Sequence, residues 1–142
     1  MAELLGTHRY QLDPKGRISL PARFRDAFAD GAVLTLGQDG CLFCFPRAEW
    51  NSRATEVRAL PISSSRSRAY ARMFFGKAEF IELDAQGRLL VPQRLRAEAG
   101  ITREAVVLGV FDRMEIWDRE THERFEASNA GAYQAGTLAP EA

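Results

Sequence analysis

The sequence has few of the residues on which most enzymatic and metal sites depend. It contains two histidines and two cysteines in 142 residues. The glycine-rich nucleotide loops, the Gly-x-Ser-x-Gly nucleophile elbow and the His-Glu-x-x-His zinc motif do not occur in it. General-base chemistry therefore has few candidates, and an enzyme is the class of protein that the sequence favours least.

Long apolar runs are also missing from the sequence. No stretch approaches the roughly 18 consecutive apolar residues that a membrane span needs. The segment Met1–Gly6 has neither the basic start nor the apolar run of a secretory signal. With 46% hydrophobic and 27% charged residues, the composition is that of a globular protein. We expect a cytoplasmic protein with no membrane partner and no small-molecule substrate.

Cys41 and Cys44 form a Cys-x-x-Cys pattern without a second such pair, although a structural zinc site needs four ligands. The segment Cys41–Phe45 has the composition of a strand, in which residues three apart point to opposite faces. A thioredoxin-like pair would instead begin a helix. We predict two buried strand cysteines with no metal and no cofactor; a metal or redox pair is the alternative.

The net charge is zero, but the two signs are unevenly distributed along the chain. Residues 1–77 contain 12 Lys and Arg against 7 Asp and Glu, whereas residues 78–142 contain 7 against 12. Seventeen of the nineteen basic residues are arginines, whose planar fork suits phosphates and guanine edges as well as ordinary salt bridges. The first half is therefore a candidate face for an anionic partner.

The chain contains an internal repeat. The segment Leu12–Pro21 recurs as Leu83–Pro92 at an offset of 71 residues, with an aspartate, a glycine, an arginine and a proline kept in register. The match continues through Arg23–Arg25 against Arg94–Arg96. Such self-similarity indicates a duplicated structural unit. A unit of about 45 residues is too small to bury a core alone, so we expect each copy to supply strands that the other lacks.

Each copy predicts the same order of elements. The Asp-x-x-Gly-Arg segment is typical of a turn that ends in a positive-φ glycine, so we predict a hairpin with a glycine bulge between two short strands. Pro21 and Pro92 then begin a short helix, which Gly100 ends in the second copy. The further strands are predicted over 32–36, 41–45, 105–110 and 113–117, and the further helices over 46–60, over 67–75 and after residue 117 through residue 125.

The predicted organisation follows from these elements. It consists of a first domain over 7–52, a helical linker over 53–77, a second domain over 78–121 and a frayed tail over 128–142.

The repeated aspartates, Asp13 and Asp84, have two interpretations. An aspartate that opens a turn usually accepts hydrogen bonds from backbone N–H groups two or three residues on. Symmetry-related aspartates also form the catalytic pair of aspartic proteases. In those enzymes a small hydroxyl residue and a glycine follow the aspartate, whereas proline-lysine and alanine-glutamine follow here. We therefore assign Asp13 and Asp84, together with Gly16 and Gly87, to the turns.

Arg17 and Arg88 follow the turn glycines at the start of a strand. Their guanidinium groups either brace the local aspartate or lie on the surface for contact with DNA, and both roles are compatible. Lys15, at the tip of the first turn, corresponds to the neutral Gln86 in the second. The candidate DNA-binding residues are Lys15, Arg17, Arg88, Arg9, Arg23 and Arg25. The role of Arg66, Arg68 and Arg72 stays open between a solvated helix, an intersubunit face and a DNA contact.

These motifs resemble those of the MraZ family. The resemblance is carried by the segments 6–8, 12–23 and 84–92 and covers roughly residues 1–127. It implies tandem domains of the SpoVT-AbrB type. The expected fold class is then α+β, mainly β, with two swapped-hairpin halves that close one pseudo-twofold β-barrel and with short flanking helices.

The resemblance also implies a function. Proteins of this family form ring-shaped homo-oligomers, typically octamers, and are found with the nucleoid. They bind short direct repeats in double-stranded DNA upstream of their own operon and mostly repress this division and cell-wall gene cluster. Two other classes remain as alternatives: an AbrB-type antitoxin, which usually has one such half and a toxin-wrapping tail, and an interaction scaffold without DNA binding.

Overall fold

The computed structural model describes residues 3–136. The strands are β1 (Leu4–Gln11), β2 (Arg17–Ser19), β3 (Ala32–Leu36), β4 (Leu42–Pro46), β5 (Glu79–Ile81), β6 (Arg88–Leu90), β7 (Glu104–Phe111) and β8 (Met114–Asp118). The α-helices are α1 (Ala22–Arg25), which continues as a 3-10 turn, α2 (Arg47–Arg58), α3 (Ser65–Gly76), α4 (Gln93–Ala99) and α5 (Arg119–Ala135).

The two copies of the repeat exchange strands. Six strands form one antiparallel sheet in the order β1-β7-β8-β4-β3-β5, while β2 and β6 form a separate two-stranded ladder. This order reads the same from either end when every strand is replaced by its counterpart in the other copy. The first strand of each half therefore pairs with the third strand of the other half, as in β1 with β7 and β5 with β3. The chain is α+β and has an internal pseudo-twofold relation.

A closed barrel is not what these strands form. Within residues 3–136, β1 and β5 are the two edges of the six-stranded sheet and do not pair with each other. The short ladder instead covers one face of the sheet. Its inward side chains, Ile18 and Leu89, are buried in the same core as Leu34 and Val107 of the sheet. Burial of these apolar side chains against one face joins the two halves into one core.

The turn between β1 and β2 forms as predicted, but the strands beside it do not form a hairpin. The Asp13 N–H donates to Arg17 O at 3.0 Å and the Gly16 N–H donates to Asp13 O at 2.9 Å, with a positive φ of 86° at Gly16. The two flanking strands pair with β7 and β6 and not with each other. The hairpin prediction was wrong because local residues determine the turn, whereas the buried faces of distant strands decide which strands pair.

Helices cover the other face of the sheet. Trp50 of α2 stacks on Phe74 of α3 with ring centroids 5.1 Å apart, and both belong to a second cluster with Phe45. The two cysteines lie in different clusters, Cys44 in the first core and Cys41 in the second, so they face opposite sides as predicted. Burial raises the pKa of the Cys41 thiol to about 12, which leaves it protonated at neutral pH.

The last helix is longer than the sequence analysis predicts. It runs through Ala135 and not only to Phe125, so residues 128–135 of the expected tail are helical. Residues 137–142 of that expected tail lie outside the described residues. Among residues 3–136 there is no helix with the length and apolar character needed to cross a membrane.

Candidate nucleic-acid interface

The exchanged strands bring the two repeated turns side by side. In the ladder, Ile18 lies opposite Leu89 and both point into the core, so that Arg17 and Arg88 alternate to the outer face. In this register Arg17 lies opposite Leu90 and Arg88 lies opposite Ser19, at the two ends of the three-residue ladder. The two arginines are therefore about 7 Å apart along the strand direction. Two segments that are 71 residues apart in sequence thus form one surface.

Each turn is held by its own aspartate. Asp13 Oδ1 accepts hydrogen bonds from the backbone N–H groups of Lys15 and Arg17, both at 2.9 Å, and Asp13 Oδ2 accepts the Arg17 Nε–H at 2.6 Å. The second turn repeats this pattern with Asp84, whose Oδ2 accepts the Arg88 Nε–H at 2.7 Å. Charge-assisted bonds of this kind are about twice as strong as neutral ones and rigidify the turn.

These contacts also set the protonation of the carboxyls. The backbone N–H of Arg17, followed by its side chain and the N–H of Lys15, lowers the pKa of Asp13 against the opposing effect of desolvation. The same groups in the second turn, led by the backbone N–H of Arg88, lower the pKa of Asp84. Both carboxylates are therefore ionised at neutral pH and remain acceptors.

The two arginines remain open to a ligand while they brace the turns. The side chain of Arg17 is 26% exposed and that of Arg88 is 30% exposed. A further contact crosses between the halves, with Arg17 Nη1 at 3.9 Å from Asp84 Oδ2. The two arginines, the two aspartates and Lys15 form the platform at the paired turns. The charges of the two arginines and the two aspartates cancel, so the exposed Lys15 at the first tip supplies the excess positive charge of the platform.

The other predicted basic residues are distributed over two faces. Arg23 and Arg25 are both exposed on α1, directly after β2. Arg25 lies against Gly87 of the second turn, whereas Arg23 lies near Gly6 at the start of β1. Arg9 is exposed on β1 but pairs with Val106, which belongs to the helix-covered cluster. Its side chain therefore points to the opposite face of the sheet, and the structure does not bring Arg9 together with the turns.

Two arginines of the second half were not among the predicted residues, and one of them, Arg96, lies against Gly16 of the first turn. Arg94 and Arg96 on α4 are the counterparts of Arg23 and Arg25, and the offset of 71 residues could have identified them. Arg94 Nη2 pairs with Glu79 Oε2 at 2.9 Å. The Arg96 Nε–H donates to Val91 O at 2.9 Å.

The basic residues of α3 lie away from the turns, on a helix whose buried residue Phe74 packs on the helix-covered face. Arg68 donates through Nη1 to the carbonyl oxygen of Ile62 at 2.9 Å, a contact that holds the segment before the helix. For the part of the chain that the structure describes, no group of three or more His, Cys, Asp or Glu side chains has the arrangement of a metal site.

Comparisons with known proteins match nearly the whole chain. A family model described as "MraZ protein, putative antitoxin-like" matches twice, over residues 4–73 and 74–135. A protein of Pelotomaculum thermopropionicum named Transcriptional regulator MraZ is 42% identical over 130 residues, which cover 92% of this chain and 90% of the relative. A relative with the same name from Saccharopolyspora erythraea is 47% identical over 116 residues, or 82% and 81% of the two chains.

Proposed function

Since the chain belongs to the MraZ family, we propose that it is a transcriptional regulator that binds double-stranded DNA through the paired turns of β2 and β6. The family consists of transcriptional regulators, and the chain is not an enzyme. The observation that carries the proposal is the outward platform of Arg17 and Arg88, held rigid by Asp13 and Asp84.

The chemistry of the platform suits a duplex. Guanidinium groups contact phosphate oxygens and guanine edges, and groups that are already ordered lose less entropy on binding. Lys15 adds a point charge at the tip, and Arg23 and Arg25 extend the basic surface along α1. Arg9 has the weaker case for a contact, because it points away from the turns.

The finer parts of the proposal follow the family. The protein assembles into a ring, typically an octamer, and binds short direct repeats upstream of its own operon in the nucleoid of the cytoplasm. There it represses the division and cell-wall gene cluster. A ring of neutral subunits gathers one basic platform per subunit, and repeats engaged together gain affinity through effective concentration.

The test exploits the one charge difference between the twin turns. In Lys15→Gln the first turn takes the residue of the second, and in Gln86→Lys the second turn takes the residue of the first. Binding to the upstream DNA is measured by gel shift or fluorescence anisotropy at several salt concentrations. We expect Lys15→Gln to weaken binding and to reduce the salt slope by about 0.9 for each lost phosphate contact per protomer, and Gln86→Lys to act oppositely.

The outcome also separates the alternative functions. An interaction scaffold without a nucleic-acid role would bind the upstream DNA no better than unrelated DNA, whichever variant is used. That result would refute the proposal that the chain is a DNA-binding regulator. An antitoxin, the class named in the description of the family model, would form a stable complex with a toxin encoded by a neighbouring gene. Equal binding by Lys15→Gln, Gln86→Lys and the unaltered protein would place the DNA surface elsewhere on the molecule.

A further inference from the structure

The turn glycines are covered by arginines from the opposite half of the chain. A Cβ atom built on Gly16 would lie 2.7 Å from Cζ of Arg96, and a Cβ atom on Gly87 would lie 2.5 Å from Nε of Arg25. Each guanidinium group therefore lies directly against a glycine of the other copy of the repeat. Glycine suits these positions because of its positive φ, and a Cβ atom there would displace the arginine side chain from the turn.

Each arginine closes a loop of contacts between the halves. The Val91 N–H donates to Gly16 O at 3.0 Å, and the Val91 carbonyl accepts the Arg96 Nε–H at 2.9 Å. Val91 and Arg96 of the second half thus both contact Gly16 of the first turn, and the Val91 carbonyl links them.

The first half repeats this arrangement. The Leu20 N–H donates to Gly87 O at 3.3 Å, and the Leu20 carbonyl accepts the Arg25 Nε–H at 3.1 Å. Arg25 therefore links α1 to the second turn, and Arg96 links α4 to the first turn. Together the two contacts fix the distance between the tips of the turns.

We propose that Arg25 and Arg96 are positioning residues for DNA binding, each of which clamps the turn of the opposite half and holds its tip in the orientation that meets the duplex. This inference rests on the proposed function. Arg96 clamps the turn that contains Lys15, and Arg25 clamps the turn that contains Gln86. The effect of each arginine on DNA binding therefore passes through a turn on the other copy of the repeat.

The unequal tips give the proposal an internal comparison. Loss of Arg96 releases the turn that carries the lysine, whereas loss of Arg25 releases the turn with the neutral glutamine. The two substitutions remove the same charge from equivalent positions. A positioning role therefore predicts that Arg96→Ala weakens DNA binding more than Arg25→Ala does, although Arg25 is the more exposed residue.

The experiment measures binding of the upstream DNA by the full chain at several salt concentrations. We expect Arg96→Ala to weaken binding roughly tenfold, the scale of one hydrogen bond from a charged donor, with an unchanged salt slope. Arg96→Lys keeps the charge but loses the planar group that covers the glycine, so it should not restore affinity. Arg58→Ala, which removes an exposed arginine of α2 on the helix-covered face of the sheet, is the matched control.

A second measurement does not involve DNA. Hydrogen exchange of the Val91 amide should become faster in Arg96→Ala and stay unchanged in Arg25→Ala, while the Leu20 amide should respond in the reverse way. Normal affinity in Arg96→Lys, or a salt slope reduced by about 0.9 in Arg96→Ala, would make Arg96 a phosphate contact and overturn the positioning role. If the Val91 and Leu20 amides respond as expected but the unaltered protein shows no sequence-dependent DNA binding, the two arginines hold the turns and the proposed function is wrong.

Discussion

At the scale of single residues, one aspartate in each turn both shapes the backbone and holds an arginine. Asp13 accepts two backbone N–H groups and the Nε–H of Arg17, which leaves the outer nitrogens of the guanidinium group for a ligand. A side chain that is already fixed by an ion pair loses less conformational freedom when it binds a phosphate. The bracing and the binding roles of Arg17 are therefore compatible.

Asp13→Asn should make the turn less stable in a pH-dependent way. The pKa of Asp13 in the folded protein lies below its usual value of 3.8, so its contribution to stability is complete above that value and is lost as the pH falls through the folded pKa. The difference in unfolding free energy between the unaltered protein and Asp13→Asn should therefore be largest near neutral pH and shrink in acid. Urea unfolding at a series of pH values measures it. A difference that grows as the pH falls would contradict this role.

The sequence indicates some of these residues and not others, for a physical reason. Asp13 and Gly16 are predictable because a turn depends on residues within the turn itself. Arg25 also stands out as a basic residue, but its contact with Gly87 exists only because the strands are exchanged between the halves. A contact of this kind depends on long-range pairing, which local residue patterns do not encode.

At the scale of secondary-structure elements, the ends of the helices follow local chemistry closely. Ser64 caps the N-terminus of α3, because its Oγ accepts the Ser67 N–H at 3.2 Å. Gly100 ends α4 with a φ of 67°, in the left-handed region. The end of α5 was missed because the stretch from Ala127 to Ala135 combines alanines with Asn129 and Gly131, which are weak helix formers.

Ser64→Ala should destabilise the protein by about 1 kcal/mol, the usual loss when an N-cap hydroxyl is removed. The neighbouring serines provide matched controls, because Ser63→Ala and Ser65→Ala remove the same hydroxyl without removing the cap. Urea unfolding followed by circular dichroism gives the three free energies. Equal losses in all three variants would mean that the Ser64 side chain does not cap α3.

At the scale of the whole molecule, duplication solves the problem of a small core. Neither half could pair all of its own strands, since β1 forms its backbone hydrogen bonds with β7 of the other half and β5 forms its own with β3. The main core accordingly draws residues from both copies, including Phe24 and Phe28 from the first and Leu95 and Ala99 from the second. The sequence repeat predicted this dependence between the halves, but it did not reveal that the six-stranded sheet stays open.

The exchange of strands predicts that the two halves unfold together. Ile18 and Leu89 lie opposite each other in the ladder, and both are buried in the shared core. Replacing either with alanine should cost about 2–5 kcal/mol, as large-to-small core substitutions do.

Each substitution should lower the midpoint of one single transition in calorimetry, with equal calorimetric and van't Hoff enthalpies. Because the two side chains are in the same layer, the double variant Ile18→Ala/Leu89→Ala should lose less than the sum of the single variants. Two separate transitions, with Ile18→Ala shifting one and Leu89→Ala the other, would mean that each half keeps a core of its own. The clamps between the turns would then join two independent domains, and the fixed spacing of the tips would lose its structural basis.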